Sequence, residues 1–540
     1  MLALVVTSAC LGYTPSTPSQ TSHSPISKTS ETSYSPTPSS SEPSHSSTPS
    51  PSETSPSTSP PKTPTDTNPP KIIEFNWTPT RVFWDKIYDI EVNFTVEDDE
   101  TPIKYVELHF IPVEYEYFIT TYGMRREDYP KVFPPEEERI YELKPLDGEF
   151  DELKEEFSVD VENITGGREY KILIIAKDEK TTEYKTKTPY IRQYENFGRQ
   201  LYEKGIIVST IYEPWDHKTA FIKAPGYEPL LGGYNPKDDI VQWKHIDWAG
   251  YAGINVFFID LQYHWWPEMK SQVIDTIKGF LKKDNGIKIA YSFGGGWHIM
   301  KLKMGGNGLP DWAVDLSDPY NKEKFLKSIH EVLNDEIILK NKNYYRVNGN
   351  PVLYIWDEGA LYNEYEVFSK IKKEYGLFLI SEWLPKIPVL PDSDYTKYAL
   401  KYKEKGLDIF DAYTGWIGFH DPHGDYNIES YLKLYQQSLR EWKYFTEKRG
   451  KYFIPSVAPG FDNNHTPYDT TELPLPRSPK KFETRLRLAL RYVDLNHAEI
   501  EIDTWNDFSE WSYVEPDVKD GFAYLNVLLE VLHEFLKQNS

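Results

Sequence analysis

From Tyr194 to the last residue the chain alternates short apolar runs with stretches of helical periodicity, and this alternation limits the fold more than any other feature. Eight runs read as buried strands: Gly205–Ile211, Ile254–Leu261, Ile287–Phe293, Pro351–Trp356, Leu377–Ser381, Ile409–Tyr413, Tyr452–Ala458 and Ala498–Trp505. Between them, Val273, Ile277, Phe280 and Leu281 within Met269–Lys282, and Tyr431, Leu434, Tyr435, Leu439 and Trp442 within Asn427–Glu447, recur at helical spacing. Apolar strands that alternate with helices call for a parallel sheet covered on its faces. Eight such units predict an α/β fold, a (β/α)8 barrel over 194–540, whose chemistry sits where the strands end.

What precedes the barrel falls into three parts. Over 1–10, the apolar Leu2-Ala3-Leu4-Val5-Val6 leads through Thr7-Ser8-Ala9 to Cys10, similar to the end of a lipoprotein signal whose cysteine carries lipid. The shortness of that run and the lack of Lys or Arg before Cys10 fit a true start upstream of Met1; the alternative is an ordinary cleaved signal. Cys10 is the single cysteine, so no intrachain disulfide forms. Over 11–70, Ser, Thr and Pro dominate and few side chains are aliphatic, which predicts a disordered, proline-stiffened stalk of the O-glycosylated type. Over 71–193 the pattern changes to period-two alternation in Ile72–Phe75, Asp89–Phe94, Tyr105–Phe110 and Tyr170–Ala176, with a turn signal at Gly166-Gly167. This predicts a β-sandwich of the fibronectin type III or immunoglobulin-like kind that spaces the barrel or packs against it. Asn76, Asn93, Asn163 and Asn464 begin sequons for glycosylation of an exported chain.

Composition narrows the partners. Acidic residues number 83 against 60 basic ones, a formal charge of −23 that repels nucleic acid and anionic headgroups. No segment reaches the roughly 18 apolar residues of a membrane span, which leaves a lipid on Cys10 as the expected membrane contact. Aromatic residues make up 15% of the chain, with 15 Trp and 40 Tyr, a surplus suited to stacking on sugar rings. Scarce Cys and Met beside abundant Lys, Glu, Ile and Tyr resemble proteins from hot environments.

The strand ends supply acids, histidines and aromatics in number. In order they offer Tyr212-Glu213-Pro214-Trp215; Asp260 with Tyr263 and His264; Trp297 and His298; Asp357 and Glu358; Glu382; Tyr413; and finally Trp505, Asn506, Asp507 and Glu510. Convergence of such groups at one end of a barrel predicts a glycan-binding site, although each taken singly has a packing role open to it. Asp507 and Glu510 stand three apart among aromatics, a pairing that suggests sugar chemistry; the bland alternative makes Asp507 the cap of the following turn and Glu510 a solvated first-turn acid. The histidines show no tight ligand spacing, and Gly294-Gly295-Gly296 lacks the lysine of a phosphate loop, so neither a metal nor another cofactor is expected.

The segment WNDFSEWSYVEP at the eighth strand is similar to the acid motif of glycoside hydrolase family 99 and its related, endo-α-mannosidase-like barrel proteins. HIDWAGYAGINVFFID, YYRVNGNPVLYIWD and SVAPGFDNN resemble the family's second, fourth and seventh strand regions, in order, so that the likeness covers Gly205 to Leu525. It implies a retaining endo-glycosidase in which Asp507 assists the substrate's 2-hydroxyl and Glu510 is the general acid/base. Tyr212, Trp215, Asp260, Tyr263, His264, Trp297, His298, Asp357, Glu358, Glu382, Tyr413, Trp505 and Asn506 are the expected substrate contacts. Family members carry glutamate where Asp507 stands, and the shorter aspartate withdraws its carboxylate by roughly 1.5 Å, a displacement that can cost about 10²-fold in rate. Ser509 and Trp511 also replace the histidine and glycine that flank the second acid, which marks a divergent branch with Asp260, Asp357 and Glu358 as reserve acids. The expectation is therefore a surface-tethered glycosidase acting on α-linked glycans. A noncatalytic glycan-binding envelope protein on a degenerate barrel, or a relative associated with glycosyl transfer, is the alternative.

Overall fold

The computed structural model describes residues 67–78, 89–215, 227–261, 264, 269–283, 286–294, 300–382, 406–415, 428–462, 464 and 474–539. Cys10 with its signal-like segment, the stalk up to residue 66, Tyr263, Trp297 and His298 lie outside the described residues.

Seven strands open the described chain: β1 (Lys71–Thr78), β2 (Ile90–Glu97), β3 (Tyr105–Pro112), β4 (Arg139–Leu143), β5 (Lys154–Val161), β6 (Tyr170–Lys177) and β7 (Thr181–Lys187). They form two antiparallel sheets, ordered β1-β2-β5 and β4-β3-β6-β7. Alternation decides the faces: Ile90, Val92, Phe94 and Val96 of β2 meet Val106, Leu108 and Phe110 of β3 and Ile172 and Ile174 of β6 in one apolar core. The sequence showed four of these strands. β4, β5 and β7 escaped because their outer faces are charged, as in K-E-E-F-S-V-D-V of β5.

The barrel strands follow in chain order: β8 (Ile206–Tyr212), β9 (Val256–Asp260), β10 (Lys288–Gly294), a side hairpin of β11 (Met304–Gly306) and β12 (Leu309–Asp315), then β13 (Arg346–Val347), β14 (Asn350–Trp356), β15 (Leu361–Tyr362), β16 (Phe378–Glu382), β17 (Ala412–Thr414), β18 (Tyr452–Phe453), β19 (Ser456–Val457) and β20 (Ala498–Ile502). The main sheet is parallel and runs β8-β9-β10-β14-β16-β17. One strand region then serves two neighbours, with β18 pairing β17 and β19 pairing β20. Pro455 has no N–H for a ladder and separates the two halves, yet its carbonyl accepts from Glu501 N at 3.0 Å. β20 returns to β8 in register from Ala498↔Ile206 to Ile502↔Thr210, so the eight expected strand regions curl back on themselves. A smaller sheet of β11, β12 and β15, absent from the eight expected strand runs, grows from the loops after β10 and β14.

Alternation along β20, A-E-I-E-I, sends Ile500 and Ile502 to the apolar core and Glu499 and Glu501 to the polar interior. Glu501 accepts from the Thr414 hydroxyl at 2.6 Å, and Glu499 from Tyr345 Oη at 3.0 Å. Burial pushes the Glu501 carboxyl up to about 8, so at neutral pH it is a neutral member of a hydrogen-bonded barrel centre.

Between β3 and β4 the chain leaves the first module and packs on the barrel. Tyr117 Oη and Tyr122 Oη donate to the two oxygens of Asp238 at 3.1 and 3.0 Å, while Asp238 also caps helix Asp239–Ala252 through Ile240 N at 2.8 Å. That helix has no polar side: Lys244, His245 and Asp247 are as buried as its aliphatic residues. The reason lies in what covers it. The Lys244 amine donates to the Val132 carbonyl and sits 4.7 Å from the Phe133 ring centre, and burial lowers its pKa to about 7. Asp247 holds the connecting segment, accepting from Tyr190 Oη at 3.2 Å and Gln193 N at 2.7 Å. Among the described residues no helix is long and apolar enough to cross a membrane.

Cutting the chain at 194 leaves Asp238, Lys244 and Asp247 without these partners, and each lost hydrogen bond to a charged group is worth about 1.5–3 kcal/mol. Residues 194–540 expressed alone are therefore expected to be insoluble, whereas 67–540 gives one cooperative thermal transition by calorimetry. A soluble barrel fragment with the same melting temperature contradicts this.

Candidate active site

The eighth strand delivers its motif through a loop held at both ends. Trp505 N donates to Ile211 O at 2.8 Å, continuing the contact with the first strand, and Glu515 N returns to Trp505 O at 2.8 Å. The Trp505 ring is fully buried, 5.5 Å from His245 and 5.6 Å from Phe257. Asn506 then reaches across to the end of β8: its Oδ1 accepts from Glu213 N at 2.7 Å, and its Nδ2 donates to Glu213 O at 2.9 Å and lies 3.1 Å from Tyr234 Oη. Beneath it runs a buried chain. Tyr234 Oη donates to Glu515 Oε2 at 2.7 Å, Glu515 Oε1 is 3.3 Å from His245 Nε2, and His245 Nδ1 is 3.0 Å from Tyr212 Oη. Glu515, the acid of the V-E-P end of the motif, is thus a support and does not reach the site.

Three acids, Asp260, Asp507 and Glu510, bear electrostatically on the carboxyl of Glu213. Asp507 Oδ1 accepts from Ser509 Oγ at 2.6 Å and Glu510 N at 3.0 Å, while its own N–H donates to Thr504 Oγ1 at 2.9 Å. One oxygen of Asp507 therefore caps the turn, the structural role weighed from the sequence, and that turn carries Glu510 to a half-buried position. Burial raises the Asp507 pKa from 3.8 to about 6 against the lowering effect of these hydrogen bonds. Glu213 and Asp260, at the ends of β8 and β9, are buried to 4% and 3% exposure. Burial pushes the Glu213 carboxyl well up, and the negative charges of Asp260, Asp507 and Glu510 push the same way. Glu213, one residue beyond β8 and followed by Pro214, is a strand-end acid of the Y-E-P-W run that is absent from the expected substrate contacts.

Neighbouring loops secure the motif. Asp462 N, after the seventh strand, donates to Glu510 O at 2.8 Å. Arg477 donates to Trp511 O at 3.3 Å and Tyr513 O at 2.5 Å, with its guanidinium 3.8 Å from the Tyr513 ring centre. The Trp511 ring stacks on Tyr227 at 4.2 Å.

Not every expected contact joins this group. Tyr212 turns its ring into Phe257 and Phe280 and spends its hydroxyl on His245; Tyr413 is fully buried with its hydroxyl on Leu407 O; Trp505 is enclosed as described. These three side chains are buried, at 0% exposure. Asn506 is a clamp on the backbone. Asp357, Glu358 and Glu382 assemble at the fourth and fifth strand ends, where Asp357 N donates to Glu382 Oε2 at 2.9 Å and Ser381 Oγ to Glu358 Oε2 at 3.2 Å. His264 lies 3.6 Å from Glu331, and burial together with Lys270 lowers its pKa. Trp215, two residues after Glu213, is half-buried. The third strand ends on Gly294 at φ +151, where a Cβ would stand 1.9 Å from Trp356 O, so only glycine fits. Among the described residues no group of three or more His, Cys, Asp or Glu side chains is arranged to hold a metal ion.

The raised carboxyl has a measurable consequence. Between pH 3.8 and about 6 the folded protein keeps a proton on Asp507 that the unfolded chain has lost. Its contribution to stability, full below the unfolded pKa, is lost as pH rises through the folded one. Asp507→Asn, which keeps the capping oxygen, is expected to flatten that fall. Relative to pH 4, it should gain about 1–3 kcal/mol over the native protein at pH 7, read by denaturant unfolding at the two pH values. Equal changes in both proteins would count against a buried Asp507 carboxylate.

A family model described as "Glycosyltransferase WbsX" matches residues 225–528. Among solved structures the chain is similar to a glycoside hydrolase-like protein at 18% identity, over 60% of this chain and 93% of that one, with a TM-score of 0.46. It is also similar to a family 99 endo-α-mannosidase from Bacteroides thetaiotaomicron, at 18% identity over 62% of this chain and 98% of that one, with a TM-score of 0.42. A family 123 glycoside hydrolase from Clostridium perfringens matches at 10% identity over 87% of this chain and 89% of that one, with a TM-score of 0.35. Family 99, which the eighth-strand motif resembles, is thus represented among these structures. No curated protein matches.

Proposed function

The chain belongs to the WbsX family, whose model spans 225–528, and from that membership we propose that it is a glycan-processing enzyme, a retaining glycosidase acting on α-linked, mannose-type glycans. The observation that carries the reading is the meeting of Asp507 and Glu510 with Glu213 at one end of the barrel, one acid buried and the other half-buried. In this scheme the ionised Asp507 takes the proton of the substrate's 2-hydroxyl, whose oxygen attacks the anomeric carbon. Glu510 meanwhile protonates the departing glycosidic oxygen. The resulting three-membered ring opens when Glu510, now a carboxylate, takes a proton from water that adds at the anomeric carbon, and the 2-hydroxyl recovers its proton from Asp507. Two acids with different tasks need different environments, which burial of Asp507 and partial exposure of Glu510 supply.

A second reading is favoured by the family's own description. If the final acceptor is a sugar hydroxyl in place of water, the same two residues transfer the glycosyl group. Incubation with α-mannan and α-glucan oligosaccharides, with products resolved by mass, separates the two: free reducing ends mean hydrolysis, elongated chains mean transfer. Glu510→Gln is expected to lose at least about 10³-fold in turnover while still binding oligosaccharide. Undiminished turnover would remove Glu510 from the mechanism.

The surroundings of the barrel complete the proposal. Cys10 carries a lipid, and the Ser/Thr/Pro stalk holds the enzyme away from a cell surface, supported by the sequence of those segments. The 71–193 module is of the fibronectin type III kind, supported by a fourth strand that lies beside the third. Its role is to brace the barrel through Asp238 and Lys244.

A further inference from the structure

The residue after Glu510 breaks a conformational rule. Trp511 holds φ at +55, the left-handed region that glycine enters freely and a bulky side chain enters at a cost. Such a residue persists only where its surroundings fix it, and strain of this kind gathers at ligand sites. Here the backbone is fixed by Arg477, which donates to Trp511 O at 3.3 Å. That guanidinium is itself buried, 3.8 Å from the Tyr513 ring centre and 4.1 Å from the Tyr524 ring centre. The ring is fixed by Tyr227, on which it stacks with centres 4.2 Å apart and planes at 25°. The chain beside Tyr227 is tied in turn to the tail of the motif: Leu230 N donates to Pro516 O and Val518 N to Glu228 O, each at 3.0 Å. The Lys519 amine adds a contact 4.1 Å from the Tyr227 ring centre. Phe508 and Tyr513 of the same motif also stack, at 3.8 Å, but both are buried. Trp511 and Tyr227 are only half-buried, so this second pair is held in place without being enclosed.

We propose that Trp511, backed by Tyr227, is the stacking platform for the departing sugar, the one joined through the glycosidic oxygen that Glu510 protonates. The inference rests on the glycan-processing reading above and deepens it by placing the leaving-group side of the cleavage point. One Cα step of about 3.8 Å separates Trp511 from Glu510, and Asp462 lies against the same turn with its N–H on Glu510 O at 2.8 Å. A pyranose carries a face of C–H groups and a rim of hydroxyls, so an aromatic face beside acidic side chains matches both. Binding of a part of the substrate that does not react can lower the barrier at the bond that does, so the ring acts on the rate through the departing sugar. Trp511 is thus a binding and specificity-determining residue that moves no proton.

The test uses the full chain with Trp511→Gly and Trp511→Phe. Glycine removes the ring and suits the left-handed backbone, so this variant keeps the fold; phenylalanine keeps a ring in place. Two probes are compared: an α-mannan oligosaccharide, which has a departing sugar, and α-mannobiosyl fluoride, which has fluoride in its stead. The ratio of kcat/KM for the first to that for the second is expected to fall at least about thirtyfold in Trp511→Gly and less than about fivefold in Trp511→Phe. An unchanged ratio in Trp511→Gly overturns the proposal, because lost packing against Tyr227 would lower both rates together. Calorimetric binding of the oligosaccharide to the Glu510→Gln protein needs no turnover: adding Trp511→Gly should weaken it at least about tenfold, and equal affinity overturns the proposal. If the native protein cleaves neither probe and binding still shows that loss, the platform stands and the catalytic reading fails.

Discussion

Two hydrogen bonds from one carboxamide hold the candidate site together. Asn506 accepts from the N–H and donates to the carbonyl of Glu213, a residue 293 positions away. They join the end of the eighth barrel strand to the end of the first, just beyond the ladder that pairs β20 with β8. Because Asn506 immediately precedes Asp507, the same contact fixes where the motif loop leaves the barrel. It also sets Glu213 against the acids of that loop. Four carboxyls would repel one another from such a place if all were ionised. Burial raises the carboxyls of Glu213 and Asp507, which lets them stand near the other two acids with less charge.

Support for this arrangement comes from below and from outside. Below, Tyr234, Glu515, His245 and Tyr212 connect the motif to helix Asp239–Ala252. From outside, the segment between the third and fourth strands of the first module covers that helix and gives Asp238 and Lys244 their partners. The N-terminal module is therefore continuous with the frame of the site, through a helix that is buried on all sides. A surface helix of a free-standing barrel would have shown a polar face at those positions.

Much of the fold was legible because periodicity records it. Apolar runs marked all eight barrel strands, and helical spacing marked the helices at Lys270–Lys282 and Ile428–Lys448. What sequence could not settle was direction. Tyr212, Tyr413 and Trp505 stand at strand ends, as sugar-stacking rings would, yet their side chains are fully buried. In β20 the alternation of acids with isoleucines was plain, but only Thr414 and Tyr345, from distant strands, tell that the acids face inward. One oxygen of Asp507 caps the turn, and its carboxyl bears on Glu213. Glu213 is held by Asn506, a contact across 293 residues that no local pattern encodes.

In the proposed reading, the first and eighth strands present one sugar to acids with divided tasks. Its most direct test is a crystal structure of the Glu510→Gln protein soaked with an α-mannan oligosaccharide. The expected result is one sugar ring at the acids, with its 2-hydroxyl on Asp507 and its glycosidic oxygen beside residue 510. An oligosaccharide bound elsewhere on the barrel, with the four acids untouched, would contradict it.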